Sequence, residues 1–442
     1  MRREGPPRAW GDHTSCRDRR RLLAALACAG PAAILGAGCA KRRDDTVVRF
    51  WAMGSEGEVV TKLLPAFERA HPGIRVDVQQ LPWSAAHEKL LTAFAGDATP
   101  DLCQLGNTWI PELVALRALE PLDARLASSS VDRADFFGGI FDTNVVEGRT
   151  YGVPWYVDTR LLFYRRDLTD AAGIHDPPAS WADWTRTLAA VKARAGPGQY
   201  AILLPLNEVE PLLALALSQG DPLLRDGGRY GNFRSAGFRR ALGFYVGMFR
   251  DGYAPPVTAS QMSNVWTEFG RGTFAFYISG PWNIGEFSRR LPVSVQDAWE
   301  TAPLPGPEGP GASTAGGSSL VIFRASPAKD AAWKLIEYLS RPDVERTFHA
   351  LTGDLPPRRS AWSDPALASD AHARAFREQL ERVEPAPKVP EWERIADEMR
   401  VVAERAARGL ASVDEAVTEL DARADRILEK RRWLLAREGS AR

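Results

Sequence analysis

Hydrophobic positions after residue 45 alternate between strand-like and helix-like spacing. Residues 47–51 and 74–78 have the apolar content of strands, and residues 55–67 between them carry an apolar face at helical spacing. Pro65 must kink or divide that helix. The same alternation continues through residues 85–95, 102–105 and 111–119. Strand, helix and strand with short links predict parallel βαβ units with right-handed crossovers, and so an open α/β lobe.

Polar side chains suited to capping predict where several helices begin. They are Ser55 with Glu58, Ser180, Ser326 before Pro327, and Ser412 with Glu415. Trp181 and Trp184, which follow Ser180 in the chain, have helical spacing. This spacing favours a buried helix face over a binding role.

The segment of residues 148–168, GRTYGVPWYVDTRLLFYRRDL, combines two strand-like halves with polar chemistry at its centre. Pro154 makes an uninterrupted central strand unfavourable at that point. The central residues include Trp155, Tyr156, Asp158 and Arg160. A crossing segment between two lobes, with aromatic rings and a carboxylate facing the cleft, explains this composition; a single edge strand with surface aromatics is the alternative.

Ligands of open α/β sheets bind at the carboxyl ends of the strands. Glu56 follows the first predicted strand, and Asn107 and Trp109 follow the third, so all three are candidate ligand contacts. Helix capping and core packing are the alternatives for these residues. Trp282 follows the predicted strand 273–278 in the same way.

A segment rich in proline and glycine, residues 303–317, predicts a loop or link. Gly316 and Gly317 stand at its end, before a predicted strand at 318–323. Without a Cβ, their backbone could approach a ligand closely, or they could serve only the turn. From residue 358 onward the pattern is helical.

Several motifs resemble those of the maltose-binding-protein-like solute-binding proteins that feed carbohydrate ABC importers. Besides the crossing segment they are FWAMGSEGEVVTKLLPAFERAHPGIRV, PDL, SWADW, ISGPWNIG, STAGGSSLVIF, AAWKLIEYLSRPDV and TGDLPPR. The resemblance implies a two-lobed α/β periplasmic-binding-protein fold with a ligand cleft between the lobes and crossing segments as hinge. It also implies a sugar stacked on Trp282 and a ligand contact from Arg358 of TGDLPPR.

The resemblance leads to a discontinuous domain division. The first lobe is expected to comprise residues 46–155 and 303–355, and the second lobe residues 156–302 and 356–442. Residues 1–38 and 39–45 are expected to be a lipoprotein signal peptide and a linker.

The N-terminal region has the order of an export signal. Arginines precede an apolar run at 22–35, which is shorter than the ~20 residues a membrane span needs and contains Pro31. The resemblance to lipoproteins implies cleavage before Cys39 and acylation of its thiol, although Gly36 stands where the usual pattern has leucine. Arg19 and Arg20 also resemble a twin-arginine signal. The expected location is the cell envelope, anchored by lipid outside the cytoplasmic membrane.

Composition excludes several partners. The chain has 442 residues, 45% hydrophobic and 25% charged, with a formal net charge of zero, which is typical of a globular protein and offers no basic excess for nucleic acid. If the signal is removed and Cys39 lipidated, Cys103 remains as a single core thiol. The histidines lack the spacing of a metal site. We expect no metal, no cofactor and a monomer.

No phosphate loop, HExxH motif or nucleophile elbow is present, so no catalytic residue is assigned. A glycoside hydrolase using two carboxylates remains the enzyme alternative, with candidates Glu56, Asp101, Asp158 and Glu286. A scaffold without a small ligand would leave the strand-end aromatics unexplained. The sequence therefore predicts a binding protein that captures a carbohydrate and delivers it to the transmembrane subunits of an ABC permease.

Overall fold

The computed structural model describes residues 45–262 and 264–440, so the predicted signal peptide and Cys39 lie outside the described residues. The strands, in chain order, are β1 Thr46–Met53, β2 Ile74–Leu81, β3 Leu102–Gly106, β4 Val145–Val146, β5 Arg149–Thr150, β6 Val153–Asp158, β7 Leu161–Arg165, β8 Tyr200–Leu203, β9 Leu224–Arg225, β10 Tyr230–Gly231, β11 Phe274–Ser279, β12 Trp299–Ala302, β13 Ser313–Thr314, β14 Gly316–Ile322 and β15 Val383–Glu384.

Helices connect and cover these strands. They are α1 Gly54–Val60, α2 Leu64–Ala70, α3 Trp83–Ala95, α4 Ile110–Ala115, α5 Asp123–Leu126, α6 Gly138–Asp142, α7 Arg166–Ala171, α8 Trp181–Arg194, α9 Glu210–Leu217, α10 Ala236–Arg250, α11 Val265–Arg271, α12 Trp282–Arg290, α13 Lys329–Leu339, α14 Pro342–Thr352, α15 Pro365–Ser369, α16 Ala371–Gln379, α17 Trp392–Ala407, α18 Val413–Ile427 and α19 Glu429–Ser440. Among the described residues, none of these helices is long and apolar enough to cross a bilayer.

Two larger sheets define two lobes. The first lobe is built on a five-stranded sheet in the order β2-β1-β3-β14-β6, in which β1 pairs parallel to both β2 and β3. The second lobe is built on a four-stranded sheet in the order β12-β7-β11-β8, in which β11 pairs parallel to β8 and antiparallel to β7. Each sheet has helices packed on it and its own buried apolar clusters. The α/β prediction and the βαβ unit are confirmed.

The chain crosses between the two sheets at identifiable points. It passes from β6 of the first sheet to β7 of the second, and it returns between β12 and β14. The short strands β13 and β15 pair parallel to each other beside this return. Crossing segments of this kind form the hinge of a two-lobed fold. The residue limits predicted for the lobes stay a prediction.

Several local predictions hold for clear reasons. Ser180 and Ser412 cap α8 and α18 through reciprocal side-chain and backbone hydrogen bonds. Pro65 lies in the first turn of α2, so the predicted helix is divided there. Trp184 is fully buried, and Cys103 is a free, buried thiol in β3.

Pro154 lies within β6, which is the edge strand of its sheet and is paired with β14 through a register shift at this point. The expectation that no uninterrupted central strand runs through Pro154 therefore agrees with the structure. Two capping predictions are wrong. Helix α1 begins at Gly54 without a side-chain cap, so Ser55 is already helical. Ser326 accepts from the Ala328 N–H, but the helix it was expected to cap starts only after Ala328.

Candidate functional site

Glu56 lies where the first strand hands over to a helix. Gly54 has φ +55°, a left-handed conformation that turns the chain from β1 into α1 and places Glu56 in the first helical turn. Only 8% of Glu56 is exposed. Burial raises the pKa of its carboxyl group, and the negative charge of Asp158 adds to the rise, while hydrogen bonds from Tyr156 and Ser55 oppose it.

Tyr156 fixes that carboxylate from the edge strand β6. Its hydroxyl donates to Glu56 Oε1 at 3.1 Å and accepts from Gln104 Nε2 and Ser318 Oγ, each at 3.0 Å. Gln104 Oε1 in turn accepts from the Met53 N–H at 2.7 Å. Four strands of the first sheet therefore hold Glu56 in one position, which is the preorganisation a binding carboxylate needs.

Asp158 and Arg160 lie at the crossing between the two sheets. With Glu56, Tyr156 and Trp282 they form a series of neighbouring side chains that is called the row below. The guanidinium group of Arg160 lies 3.5 Å from Asp158 Oδ1 and 3.7 Å from Glu210 Oε1, and its side chain is 13% exposed. These distances are long for hydrogen bonds, and Asp158 Oδ1 is buried with no hydrogen-bond partner among the described residues. The Asp158–Arg160–Glu210 group thus keeps unused donors and acceptors.

Trp282 stands at the second-lobe end of this row. It is the first residue of α12, just after β11, and the Arg160 Cζ lies 4.5 Å from the centroid of its ring. A cation at this distance from an indole face is attracted by the ring quadrupole. The ring also lies over Gly280, where a Cβ would overlap it. Glycine is therefore required for this position of the half-buried indole.

Further carboxyl groups surround Arg160. Burial raises the pKa of Glu208 to about 7, and the nearby charges of Glu210 and Asp158 add to the effect while Arg160 opposes it. Burial also raises the pKa of Asp354 well above its usual range, with Glu56 and Asp158 contributing repulsion. Carboxyl groups of both lobes thus affect one another's pKa in a region with little water. This supports a single cleft between the two sheets.

Two tryptophans form an aromatic corner on the first lobe beside Glu56. Trp83 begins α3 directly after β2, and its ring meets that of Trp109 edge-on, with centroids 5.7 Å apart. His87 packs against Trp109 at 4.9 Å. A Cβ on Gly54 would stand 2.6 Å from Glu56 Oε2 and 2.9 Å from Trp83 Nε1, so the corner adjoins the Glu56 carboxylate.

Trp155 was expected in the cleft, and the structure places it in the core of the first lobe. It is 1% exposed and stacks on Phe348, with ring centroids 4.6 Å apart. Phe50 also packs against Trp155, with ring centroids 6.0 Å apart, so residues of the first-lobe core surround the indole. Its place in the strand, rather than its chemistry, decides its role.

Three other expected contacts, Asn107, Gly316 and Gly317, lie outside the row. The Asn107 amide donates to Ala315 O at 2.9 Å and to Thr143 Oγ1, which ties its turn to the crossing segment. Gly316 and Gly317 are inside β14 rather than before it, and a Cβ on either would overlap a carbonyl of β6. Close strand pairing explains both glycines.

Arg358 is a structural ion-pair partner. Its guanidinium group donates to Asp135 at 2.7 Å and to the Ser340 carbonyl at 2.8 Å, and its side chain is largely buried. These bonds tie Arg358 to the segments that contain Asp135 and Ser340. Arg358 is therefore not part of the row.

Two of the four carboxyl groups considered for the enzyme alternative lie away from the row. The buried Asp101 carboxylate accepts from the Arg49 N–H and from Ser326 Oγ. It therefore links β1 to the segment after β14. Glu286 is bound by two arginines of its own helix, α12. Only Glu56 and Asp158 of the four candidates belong to the row.

A separate cavity of 690 Å³ lies at the C-terminal end of α9, between the β9–β10 hairpin and the segment after β15. Its lining contains no aromatic residue and none of the raised-pKa carboxyl groups described above. It therefore lacks the flat faces and the polar row that distinguish the cleft, and it is not the candidate site.

Comparison with known proteins agrees with this geometry. A model of the family described as bacterial extracellular solute-binding protein matches residues 53–346. The chain belongs to this family. The solved structure of the sugar-binding protein MalE from Xanthomonas citri is 60% identical, has a TM-score of 0.86, and covers 88% of this chain and 99% of its own. The resemblance inferred from the motifs and the two-lobed fold are confirmed.

Two curated relatives extend the comparison. An uncharacterised lipoprotein of Streptomyces antibioticus is 29% identical over 411 residues, covering 85% of this chain and 86% of its own. The diacetylchitobiose-binding protein of Streptomyces coelicolor is 23% identical over 394 residues, covering 85% and 90%. The family is one of binding proteins, so this solute-binding protein is not an enzyme, and the glycoside hydrolase alternative is set aside.

Several residues that lie beside the row were not identified from the sequence. Trp83 follows β2, and Glu208 and Glu210 follow β8. Because ligands of open α/β sheets bind at the carboxyl ends of strands, the sequence could have indicated all three. Asp354 carries no such signal, because it lies after a helix and reaches the cleft only through the folding of the first lobe.

Proposed function

We propose that this solute-binding protein captures a carbohydrate in the cleft between its lobes and delivers it to the permease of an ABC importer. The observation that carries the proposal is the row from Glu56 through Tyr156, Asp158 and Arg160 to Trp282. It combines the flat indole of Trp282 with the unpaired Asp158 Oδ1 and with the Arg160 guanidinium group, whose ion-pair distances of 3.5 and 3.7 Å are long for hydrogen bonds. Sugar rings present apolar faces and hydroxyl groups that can fill both requirements.

The similarity to proteins named for sugar binding supports this ligand class. The Xanthomonas citri relative is named as a sugar-binding protein, and the Streptomyces coelicolor relative is named for diacetylchitobiose. The first of these similarities covers 88% of this chain at 60% sequence identity.

Anchoring outside the cytoplasmic membrane completes the proposal. A lipid on Cys39 with the cationic residues Lys41, Arg42 and Arg43 beside it would supply the two signals that stable attachment needs. The name of the Streptomyces antibioticus relative, a lipoprotein, supports this anchor.

The direct test is a thermal-shift screen against sugars, with amino acids and inorganic phosphate as other classes, followed by calorimetric titration of the best sugar. Asp158→Ala should weaken that binding by about 1.5–3 kcal/mol, the range for a hydrogen bond to a charged group. Asp343→Ala is the matched control, because Asp343 pairs with Arg341 on the exposed surface of α14.

The Asp158 variant should fold normally, since within the described part of the chain the Asp158 carboxylate has only the 3.5 Å contact with Arg160 and no hydrogen bond. Stabilisation by an amino acid or by phosphate, but by no sugar, would contradict the carbohydrate assignment. Unchanged sugar affinity in Asp158→Ala would remove Asp158 from the site.

A further inference from the structure

The last helix of the chain exposes apolar and cationic side chains beside one another. Helix α19 has the sequence EKRRWLLAREGS, with four cationic and two acidic residues. Trp433 is 55% exposed, and Leu434, its neighbour in the chain, is 44% exposed. Among the described residues, no other two consecutive large hydrophobic side chains are exposed. Contiguous apolar groups rimmed by charge mark interaction sites, so α19 has a surface suited to a partner outside the chain.

The opposite side of α19 is fixed to the second lobe. Arg431 Nε donates to the Gly228 carbonyl at 3.1 Å, and Arg432 Nη1 donates to the Arg229 carbonyl at 3.0 Å. Leu428, which precedes the helix, is fully buried in an apolar cluster of the second lobe. The β9–β10 hairpin and this cluster therefore determine which side of α19 is turned to solvent.

Four exposed side chains on the outer side are called the α19 face below: Lys430, Trp433, Leu434 and Arg437. Lys430 precedes Trp433 by three residues and Arg437 follows it by four, so helical spacing places both cations beside the indole. The Arg437 Cζ lies 4.6 Å from the centroid of the Trp433 ring. Apolar surface and positive charge are thus combined in one patch.

The two cations of the α19 face are not used in ion pairs. No ion pair joins Lys430 or Arg437 to a carboxyl group among the described side chains. By contrast, Arg423 of the preceding helix α18 is paired with both Glu398 and Glu419. Exposed cations without an acidic partner can bind phosphate oxygens without first breaking a salt bridge.

An anionic lipid surface fits the α19 face better than a second protein chain does. Tryptophan rings are favoured at the level of lipid headgroups, and the charged ends of lysine and arginine extend from apolar stems toward phosphate groups. A second copy of the same face would bring cations against cations. One indole and one leucine also fall far short of the roughly 800 Å² per partner that a stable protein interface buries.

We propose that the α19 face is a membrane-surface contact that places Trp433 and Leu434 among the headgroups of an anionic phospholipid layer, with Lys430 and Arg437 against lipid phosphates. This contact is separate from carbohydrate capture and does not depend on it. A patch of two apolar side chains and two cations binds weakly and reversibly, so it supplements the lipid anchor proposed for Cys39 rather than replacing it.

Vesicle co-sedimentation tests this contact in the absence of the lipid anchor. The protein used comprises residues 44–442, which contain every strand and helix of the structure with the apolar clusters of both lobes and so form a complete fold. One set of vesicles contains equal amounts of phosphatidylglycerol and phosphatidylcholine, and the other contains phosphatidylcholine alone. At low ionic strength, binding to the anionic vesicles should be roughly tenfold stronger or more. It should fall as added salt screens the charges.

A pair of charge reversals identifies α19 as the contact. Lys430→Glu combined with Arg437→Glu should reduce the partition coefficient on anionic vesicles roughly tenfold or more, because two attractive charges become repulsive. Lys62→Glu combined with Arg69→Glu is the matched control. It makes the same change of charge at one exposed lysine and one exposed arginine of the first lobe, and should alter the partition coefficient by less than about twofold.

Two further readouts report on the apolar part of the face. Lipids brominated on their acyl chains should quench the emission of Trp433 in the bound protein, and Trp433→Phe should still bind but lose most of that quenching. Leu434→Ala should weaken binding about threefold, whereas Leu410→Ala, at a more exposed leucine between α17 and α18, should not. Melting temperatures measured without vesicles show whether each variant is folded.

Several results would overturn the proposal, and none of them would affect the carbohydrate function. Equal binding to neutral and anionic vesicles, or binding to neither, would remove anionic lipid as the partner. An equal loss in the Lys62 and Arg69 pair would show a general effect of net charge. Sedimentation without vesicles that the charge reversals on α19 abolish would show that a second copy of the chain occupies this face.

Discussion

Glu208 offers a test of the cleft electrostatics that needs no ligand. It lies between β8 and α9, half-buried, with Arg160 as the cation beside it and with Glu210 and Asp158 as negative neighbours. Burial, reinforced by these two acids, raises its pKa from 4.5 to about 7. Tyr277, whose pKa is raised to about 12 chiefly by burial, also faces Glu208.

The sign of the effect follows from proton counts. Between pH 4.5 and 7 the folded protein keeps the Glu208 proton and the unfolded chain has lost it, so stability falls as pH rises through this window. The shift corresponds to at most about 3 kcal/mol. Glutamine mimics the protonated acid, so Glu208→Gln should gain stability over the wild type, from under about 1 kcal/mol at pH 5 to at most about 3 kcal/mol at pH 8.

Urea unfolding at several pH values measures this difference directly, because all other titrating groups cancel between the two proteins. Glu308→Gln is the matched control, since Glu308 is exposed on the loop after β12 and should show no such trend. A difference between wild type and Glu208→Gln that stays constant from pH 5 to pH 8, or that turns against the variant at high pH, would refute the burial argument.

Two further predictions concern the lipid anchor at Cys39 and the position of the Trp282 ring. Cys39→Ala should move folded, sugar-binding protein from the membrane fraction to the soluble fraction, and unchanged fractionation would refute the lipid anchor. Gly280→Ala should displace the Trp282 ring, weaken sugar binding about tenfold or more and reduce the ligand-induced change in tryptophan emission. Gly243→Ala, where a Cβ meets nothing within 4 Å, is the control and should leave both readouts unchanged.

The fold was readable from sequence wherever periodicity and burial coincide. Strands β1 to β3 are short apolar segments separated by amphipathic helices, and their parallel pairing follows from the short connections. Pro154 shows the limit of this reasoning. Proline argues against a central strand, and β6 is indeed an edge strand, but the local sequence does not show which strand it pairs with.

The location of the site at the strand ends could be predicted from the sequence better than its individual residues. The rule that ligands meet strand ends led to Glu56 and Trp282, and both lie on the row that the structure reveals. Trp155 lies in the core because Phe50 and Phe348 pack against it, and local sequence patterns do not show contacts between such distant parts of the chain. Asp354 reaches the cleft through long-range packing, which local patterns cannot show.

The charges of the row explain how a sugar could bring the lobes together. Glu56 is held by the first sheet, whereas Glu210 begins α9 of the second lobe, and Arg160 stands at the crossing between them. The ion-pair distances of 3.5 and 3.7 Å around Arg160 leave donors and acceptors that a hydroxyl group can satisfy simultaneously, since it both donates and accepts. A ligand that bonds to groups of both lobes stabilises the closed form by its differential affinity, and an anion would instead meet several carboxyl groups against one arginine. We therefore expect closure and selectivity for uncharged sugars to follow from the same arrangement of side chains.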